Sequence, residues 1–83
     1  MWYLYILRCS DDSLYTGITT DLERRLEEHR EGNGSKYVMS RLPCEMVYKE
    51  ELESRSEALK REAAVKSWDK EKKEELVDNN RFE

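Results

Sequence analysis

Residues Trp2 to Cys9, Trp-Tyr-Leu-Tyr-Ile-Leu-Arg-Cys, are a dense apolar block at the start of a chain in which 41% of the 83 residues are charged. Aromatic and branched residues fill the block and no helical charge pattern runs through it, so it reads as a strand buried on at least one face. The fold has to be built around that strand. A mean hydropathy of -1.00 alone would suit a disordered chain. The five Tyr, two Trp and the aliphatic residues are grouped rather than scattered, which instead predicts a folded unit with a heavily solvated surface. At this length the expectation is one domain spanning 1–83, with its core over about 2–77.

Ser10-Asp11-Asp12-Ser13 is a turn cluster and Leu14 to Ile18 is short and β-prone, so the first two strands form a hairpin. A three-residue loop, Asp11 to Ser13, puts Tyr5 and Tyr15 on the same face, and a four-residue loop separates them. Thr20 or Asp21 caps a helix running to about Arg30, which Gly32-Asn33-Gly34 ends. Ser35 to Pro43 shows no clear period. Glu45 to Leu52 alternates, with Met46 and Tyr48 on one side, and is the third strand. Ser54-Arg55-Ser56-Glu57 fits a capping box and opens one long helix from Ala58 to about Val77, with Asn79 and Asn80 at its fraying end. The fold class is α+β: a small three-stranded antiparallel sheet flanked by helices.

A net charge of -4 argues against a general polyanion binder, so any nucleic-acid surface has to be local. Cys9 and Cys44, with His29 as the lone imidazole, suggest neither a zinc site nor a disulfide framework and read as reduced core thiols. No apolar run approaches the roughly 20 residues of a membrane span, and nothing before Met1-Trp2-Tyr3 resembles a basic leader, so a cytoplasmic protein without a membrane partner is expected.

Polar residues stand in inward positions of both helices. At about 100° per residue, Leu22, Arg25, Leu26 and His29 fall on one stripe. The second helix places Glu62 within an arc of Ala58, Leu59, Ala63 and Val65, facing the core or a cleft. Each position has an ordinary reading: Arg25 snorkels, His29 is half-buried, and Glu62 pairs with Lys66 one turn on. Tyr3, Tyr5 and Tyr15 are by default strand packing.

Taken together, the order and spacing of these residues resemble the GIY-YIG nuclease domain over nearly the whole chain. Leu4-Tyr5-Ile6 stands at its first motif, Tyr15-Thr16-Gly17 at its second, and Asp21-Leu22-Glu23-Arg24-Arg25-Leu26-Glu27-Glu28-His29 at the helix that follows, with Glu62 in the later helix. Leu4 replaces the first-motif glycine, Thr16 the second-motif isoleucine, and Asp12 a turn glycine; none of these changes removes a candidate catalytic group. The likeness is greatest to the small branch whose chains contain little beyond this domain.

The resemblance implies a phosphodiester hydrolase, a Mg²⁺-dependent endonuclease acting on DNA ahead of RNA, structure-directed or weakly specific, with Mn²⁺ as a substitute metal. Glu62 would hold the metal and Arg25 would grip the scissile phosphate. Tyr5 or Tyr15 would take the proton from the attacking water, with His29 assisting. Lys36, Tyr37 and Arg41 are expected to contact the substrate backbone. Targeting of the endonuclease through a protein partner is a further expectation. The alternative is a catalytically weak module on the same scaffold that binds nucleic acid or a protein. A homodimer through Trp68 and the long helix is a third reading.

Overall fold

The structure, a computed structural model, describes residues 1–79. In chain order they form β1 (Trp2–Cys9), β2 (Leu14–Thr19), α1 (Leu22–Arg30), α2 (Lys36–Met39), β3 (Cys44–Leu52), α3 (Arg55–Lys66) and α4 (Lys70–Asn79). The three strands make one antiparallel sheet in the order β2-β1-β3, giving the α+β architecture expected. β1 is central, and Leu4, Tyr5, Ile6 and Leu7 are all fully buried. Burial on both faces explains why the opening block is continuously apolar rather than alternating.

On one face Tyr5, Leu7, Cys9 and Cys44 pack with Val38 of α2 and with Leu22 and Leu26 of α1. On the other Leu4, Ile6, Leu14 and Tyr48 pack with Val65 of α3 and Val77 of α4. Each fully buried aliphatic side chain contributes about 1.5–3 kcal/mol, enough for a sheet this small to hold four helices in place.

The hairpin loop has three residues, but they are Ser10 to Asp12 rather than Asp11 to Ser13: the Cys9 amide donates to the Ser13 carbonyl and the Asp12 amide to the Cys9 carbonyl. Asp12 takes the left-handed conformation (φ 69°) that this turn requires at its last position, which a short polar side chain tolerates. The register sets Tyr15 opposite Leu7 and Gly17 opposite Tyr5, so both tyrosines share the face of α1. In β3 the expected alternation fails. A bulge opposite Ile6 and Leu7 pairs Tyr48 with Ile6 and Met46 with Leu7, sending Met46 and Tyr48 to opposite faces.

The stretch without a period contains the short α2, capped by Ser35, whose hydroxyl accepts from the Val38 amide. The single long helix is instead two. Ser67 Oγ donates to the Ala64 carbonyl at the end of α3, Trp68 packs against the core, and the Asp69 carboxylate accepts from the Lys72 amide to start α4. A cap hidden in a charged run outweighed the helical propensity on either side. Leu59, expected inward, is 40% exposed. Asn79 ends α4, and Asn80 lies outside the described residues.

The loop and α4 are joined by charge. Arg8 donates to both Glu74 oxygens at 2.7 and 2.8 Å and also pairs with Asp12, while Lys70 bridges Asp12 and Glu74. Arg8, then Lys70, hold the Glu74 carboxyl at about 2, against an ordinary value of 4.5. On acidification the unfolded chain therefore takes up this proton first. The stabilisation is complete above about pH 4.5 and is lost as pH falls toward 2. Thermal melts should show Glu74→Gln less stable at pH 7 by about 1 kcal/mol. They should also show it losing less further stability than the wild type between those pH values; equal acid slopes would contradict the assignment.

Candidate active site

β1, β2 and α1 bring Tyr5, Tyr15, Arg25 and His29 together. Asp21 caps α1 by accepting from the Arg24 amide, fixing the rotation that turns Leu22, Leu26 and His29 toward the sheet. His29 is fully buried, not half-buried, and its Nε2 lies 2.8 Å from the Tyr5 hydroxyl. Arg25 Nε donates to the same hydroxyl at 3.3 Å. Its remaining nitrogens donate to Glu28 and to the Gly34 carbonyl, each at 3.0 Å. The ring centroids of Tyr15 and His29 are 5.3 Å apart, and those of Tyr5 and Tyr15 are 6.4 Å apart.

Burial pushes the Tyr5 phenol up to about 12 despite the opposing Arg25 hydrogen bond. Burial, then the Arg25 charge, lower His29 below its usual value. At neutral pH both are uncharged. Because Arg25 donates to the Tyr5 oxygen, the phenol's own proton points to His29 Nε2, which puts the imidazole proton on Nδ1. That nitrogen is buried without a partner. An orphaned buried donor costs roughly 1–3 kcal/mol, and this one sits inside the cluster that the sequence marks as functional.

Two glycines make this packing fit. A Cβ on Gly17 would come within 2.5 Å of the Tyr5 hydroxyl, and one on Gly34 within 2.5 Å of His29 Nδ1. The Tyr5 ring thus crosses Gly17, directing its hydroxyl toward the β2 edge of the sheet. α3 packs against β1 and β2 from the opposite face. Glu62 lies on the buried line of α3 between Ala58 and Val65, with its side chain 19% exposed and 3.2 Å from Lys66. Both readings of this residue therefore hold, the ion pair and the sheltered position. The Glu62 charge reaches Tyr5, where it opposes ionisation of the phenol.

The three expected substrate contacts are placed differently. Tyr37 stacks on Tyr15 at 5.9 Å and so adjoins the cluster. Arg41 lies over the Tyr37 ring at 3.9 Å and is tied to Asp11 and to the Tyr37 carbonyl, so its donors are largely engaged. Lys36 starts α2 and belongs to no ion pair among the described residues. Sequence reasoning missed Glu28 and Gly34, the partners of Arg25. Glu28 carried a signal in its i+3 spacing from Arg25, whereas the Gly34 carbonyl carried none.

Among the described residues no three His, Cys, Asp or Glu side chains gather into a metal cage. Mg²⁺ does not need one: it commonly takes one or two carboxylates, keeps several waters and completes its shell with substrate phosphate. Glu62, a sheltered carboxylate whose charge reaches Tyr5, fits that kind of site. No helix among the described residues is long and apolar enough to cross a membrane.

Comparison with known proteins identifies the fold's relatives. The family model described as the GIY-YIG catalytic domain matches residues 1–75. A UPF0213 protein of Haloquadratum walsbyi is 51% identical, the match covering 92% of this chain and 85% of the relative. A UPF0213 protein of Staphylococcus saprophyticus is 45% identical over 90% of this chain and 92% of its own length. The solution NMR structure of the UPF0213 protein BH0048 from Bacillus halodurans superposes with a TM-score of 0.63 at 43% identity, covering 96% of this chain and 86% of that one. That of the protein EF2693 from E. faecalis gives a TM-score of 0.63 at 46% identity, covering 93% and 82%. The family model, the relatives and the shared fold agree: the chain belongs to the GIY-YIG family.

Proposed function

We propose that the protein is a Mg²⁺-dependent endonuclease that hydrolyses phosphodiester bonds of DNA, with Tyr15, Arg25 and Glu62 as its reacting and binding groups. The observation that carries this reading is the convergence of Tyr5, Tyr15, Arg25 and His29, with the charge of Glu62 felt at Tyr5. Glu62 would hold the ion. When bound, Mg²⁺ supplies positive charge against the phosphate and makes its waters more acidic.

The two tyrosines take separate roles. Tyr5 is fully buried, with its oxygen held between His29 and Arg25, so no room remains on it for an attacking water. Tyr15 is partly exposed beside it and is the phenol that receives the water's proton. Tyr5 and His29 position Arg25. Arg25 offers a planar set of donors to the scissile phosphate, which displaces Glu28 from one of them.

The test is nicking of supercoiled plasmid and of branched DNA by purified protein with Mg²⁺ against EDTA. Arg25→Ala should lower the rate by roughly 10²–10³-fold, the scale of losing one donor to a developing oxyanion, and Arg25→Lys should recover little because it lacks the planar fork. Equal rates in wild type and Arg25→Ala would assign the cutting to a contaminant. The net charge of -4 favours a second reading, a module that binds nucleic acid without cutting it. Salt-dependent binding with no cleavage in any divalent metal would establish that one instead.

A further inference from the structure

Cys9 and Cys44 are the last opposed pair of the β1–β3 ladder. Both are free thiols, 5% and 8% exposed, and both belong to the face of the sheet that α1 and α2 cover. An antiparallel ladder alternates between pairs that exchange main-chain hydrogen bonds and pairs that do not. The main-chain bonds of Cys9 decide which kind this is. Its amide donates to the Ser13 carbonyl and its carbonyl accepts from the Asp12 amide, so both point into the hairpin and away from β3. The next amide, that of Ser10, turns the other way and donates to the Arg41 carbonyl at 2.9 Å. Cys9 and Cys44 are therefore a non-hydrogen-bonded pair.

In such a pair the Cα atoms stand about 4.5 Å apart and the side chains approach more closely than in the hydrogen-bonded kind. A disulfide spans Cα separations of about 4.4–6.8 Å, so this pair falls inside the range, at the short end, where the bond is more readily reduced again. The two thiols already feel each other: burial raises the Cys44 thiol above its ordinary value, and the neighbouring Cys9 raises it further. Burial also keeps bulky reagents out. An oxidant that reaches thiols this sheltered has to be small.

We propose that Cys9 and Cys44 form a redox modification site, which hydrogen peroxide closes into a reversible cross-strand disulfide. In the first step one thiolate attacks a peroxide oxygen, the O–O bond breaks, and a sulfenic acid forms as the other oxygen leaves as water. In the second the remaining thiol attacks that sulfur, the S–S bond forms, and the sulfenic oxygen leaves as water. Two thiols and one hydrogen peroxide give one disulfide and two waters. Cys9 and Cys44 bracket Tyr15, Arg25 and His29 in the sequence. The bond therefore confines the unfolded chain over the segment that builds the cluster, and so stabilises the folded form. It adds a covalent link to a corner now held by the Ser10 to Arg41 hydrogen bond and the exposed Asp11–Arg41 ion pair. No residue of the cluster takes part, so the bond forms whether or not the cluster cuts nucleic acid.

The full chain, reduced and then freed of reductant, is titrated with hydrogen peroxide in native buffer. Free thiols are then alkylated in denaturant, and the product is read by peptide mass mapping and thermal melting. The expected product is a monomer in which neither cysteine is alkylated and one peptide joins Cys9 to Cys44, lighter by two hydrogens than its halves. It should melt at least about 8 °C above the reduced chain, the low end for a disulfide in a domain of this size, and dithiothreitol should remove the rise. Cys9→Ala and Cys44→Ala should each abolish it; the wild-type product stands as the test even where a variant fails to fold. Sulfinic acids on separate thiols, a disulfide between two chains, or thiols still free once added glutathione is fully oxidised would each overturn the site. A linked product that melts no higher than the reduced chain would do the same.

Discussion

Tyr15→Phe should lower the rate of strand cleavage by roughly 10²–10⁴-fold, the usual contribution of a positioned general base. Tyr5→Phe should cost about tenfold, the scale of one hydrogen bond to a charged group. The difference comes from where the two oxygens sit. The Tyr5 oxygen is buried and held by His29 and Arg25, and its phenol stays protonated up to about 12, so removing it loosens Arg25 without removing a proton acceptor. The Tyr15 ring, partly exposed, meets His29 edge-on and stacks on Tyr37. Single-turnover cleavage rates, with thermal melts to show that both variants fold, decide the matter. A loss in Tyr5→Phe equal to or larger than that in Tyr15→Phe would reverse the assignment.

Glu62→Ala should remove Mg²⁺-dependent cleavage down to background, because the other carboxylate at the cluster, Glu28, is tied to Arg25 at 3.0 Å. Glu62→Gln should do the same: it preserves size but supplies no charge for a hard cation. In the folded chain Glu62 answers Lys66 at 3.2 Å, an i,i+4 pair whose lysine end is solvated and which contributes about 0.3–0.5 kcal/mol, so neither substitution should change stability by more than that scale. A large loss of activity with nearly unchanged melting is the signature of a functional carboxylate rather than a structural one.

Much of this arrangement was legible in the sequence because it rests on local rules. The buried centre of the sheet follows from the density of Trp2 to Cys9, and the shared face of Tyr5 and Tyr15 follows from the parity of a three-residue loop. His29 and Arg25 could be placed inward because α1 has a clean period and an Asp cap. The illegible parts were non-local. The bulge in β3 that separates Met46 from Tyr48 answers to packing against β1, with no residue in the strand announcing it. The break at Ser67 to Asp69 was masked because Asp69 reads as one more charge on a solvated face until its carboxylate is seen on the Lys72 amide. The holding of Arg25 by the Gly34 carbonyl, nine residues away, depends on the path of a loop, and backbone acceptors carry no side-chain signature. Gly34 reads as a helix stop and Gly17 as part of the second motif, yet each is needed because an aromatic ring occupies the space of its missing side chain.

The central claim is that one cluster of side chains cuts phosphodiester bonds with a metal held by Glu62. Its most direct test is the rate of nicking of forked DNA across a Mg²⁺ titration, for wild type and Glu62→Ala purified side by side. The account predicts a rate that rises and saturates with Mg²⁺ in the wild type and stays at the EDTA background in Glu62→Ala at every concentration. The same Mg²⁺ response in both proteins, or none in the wild type, would contradict it.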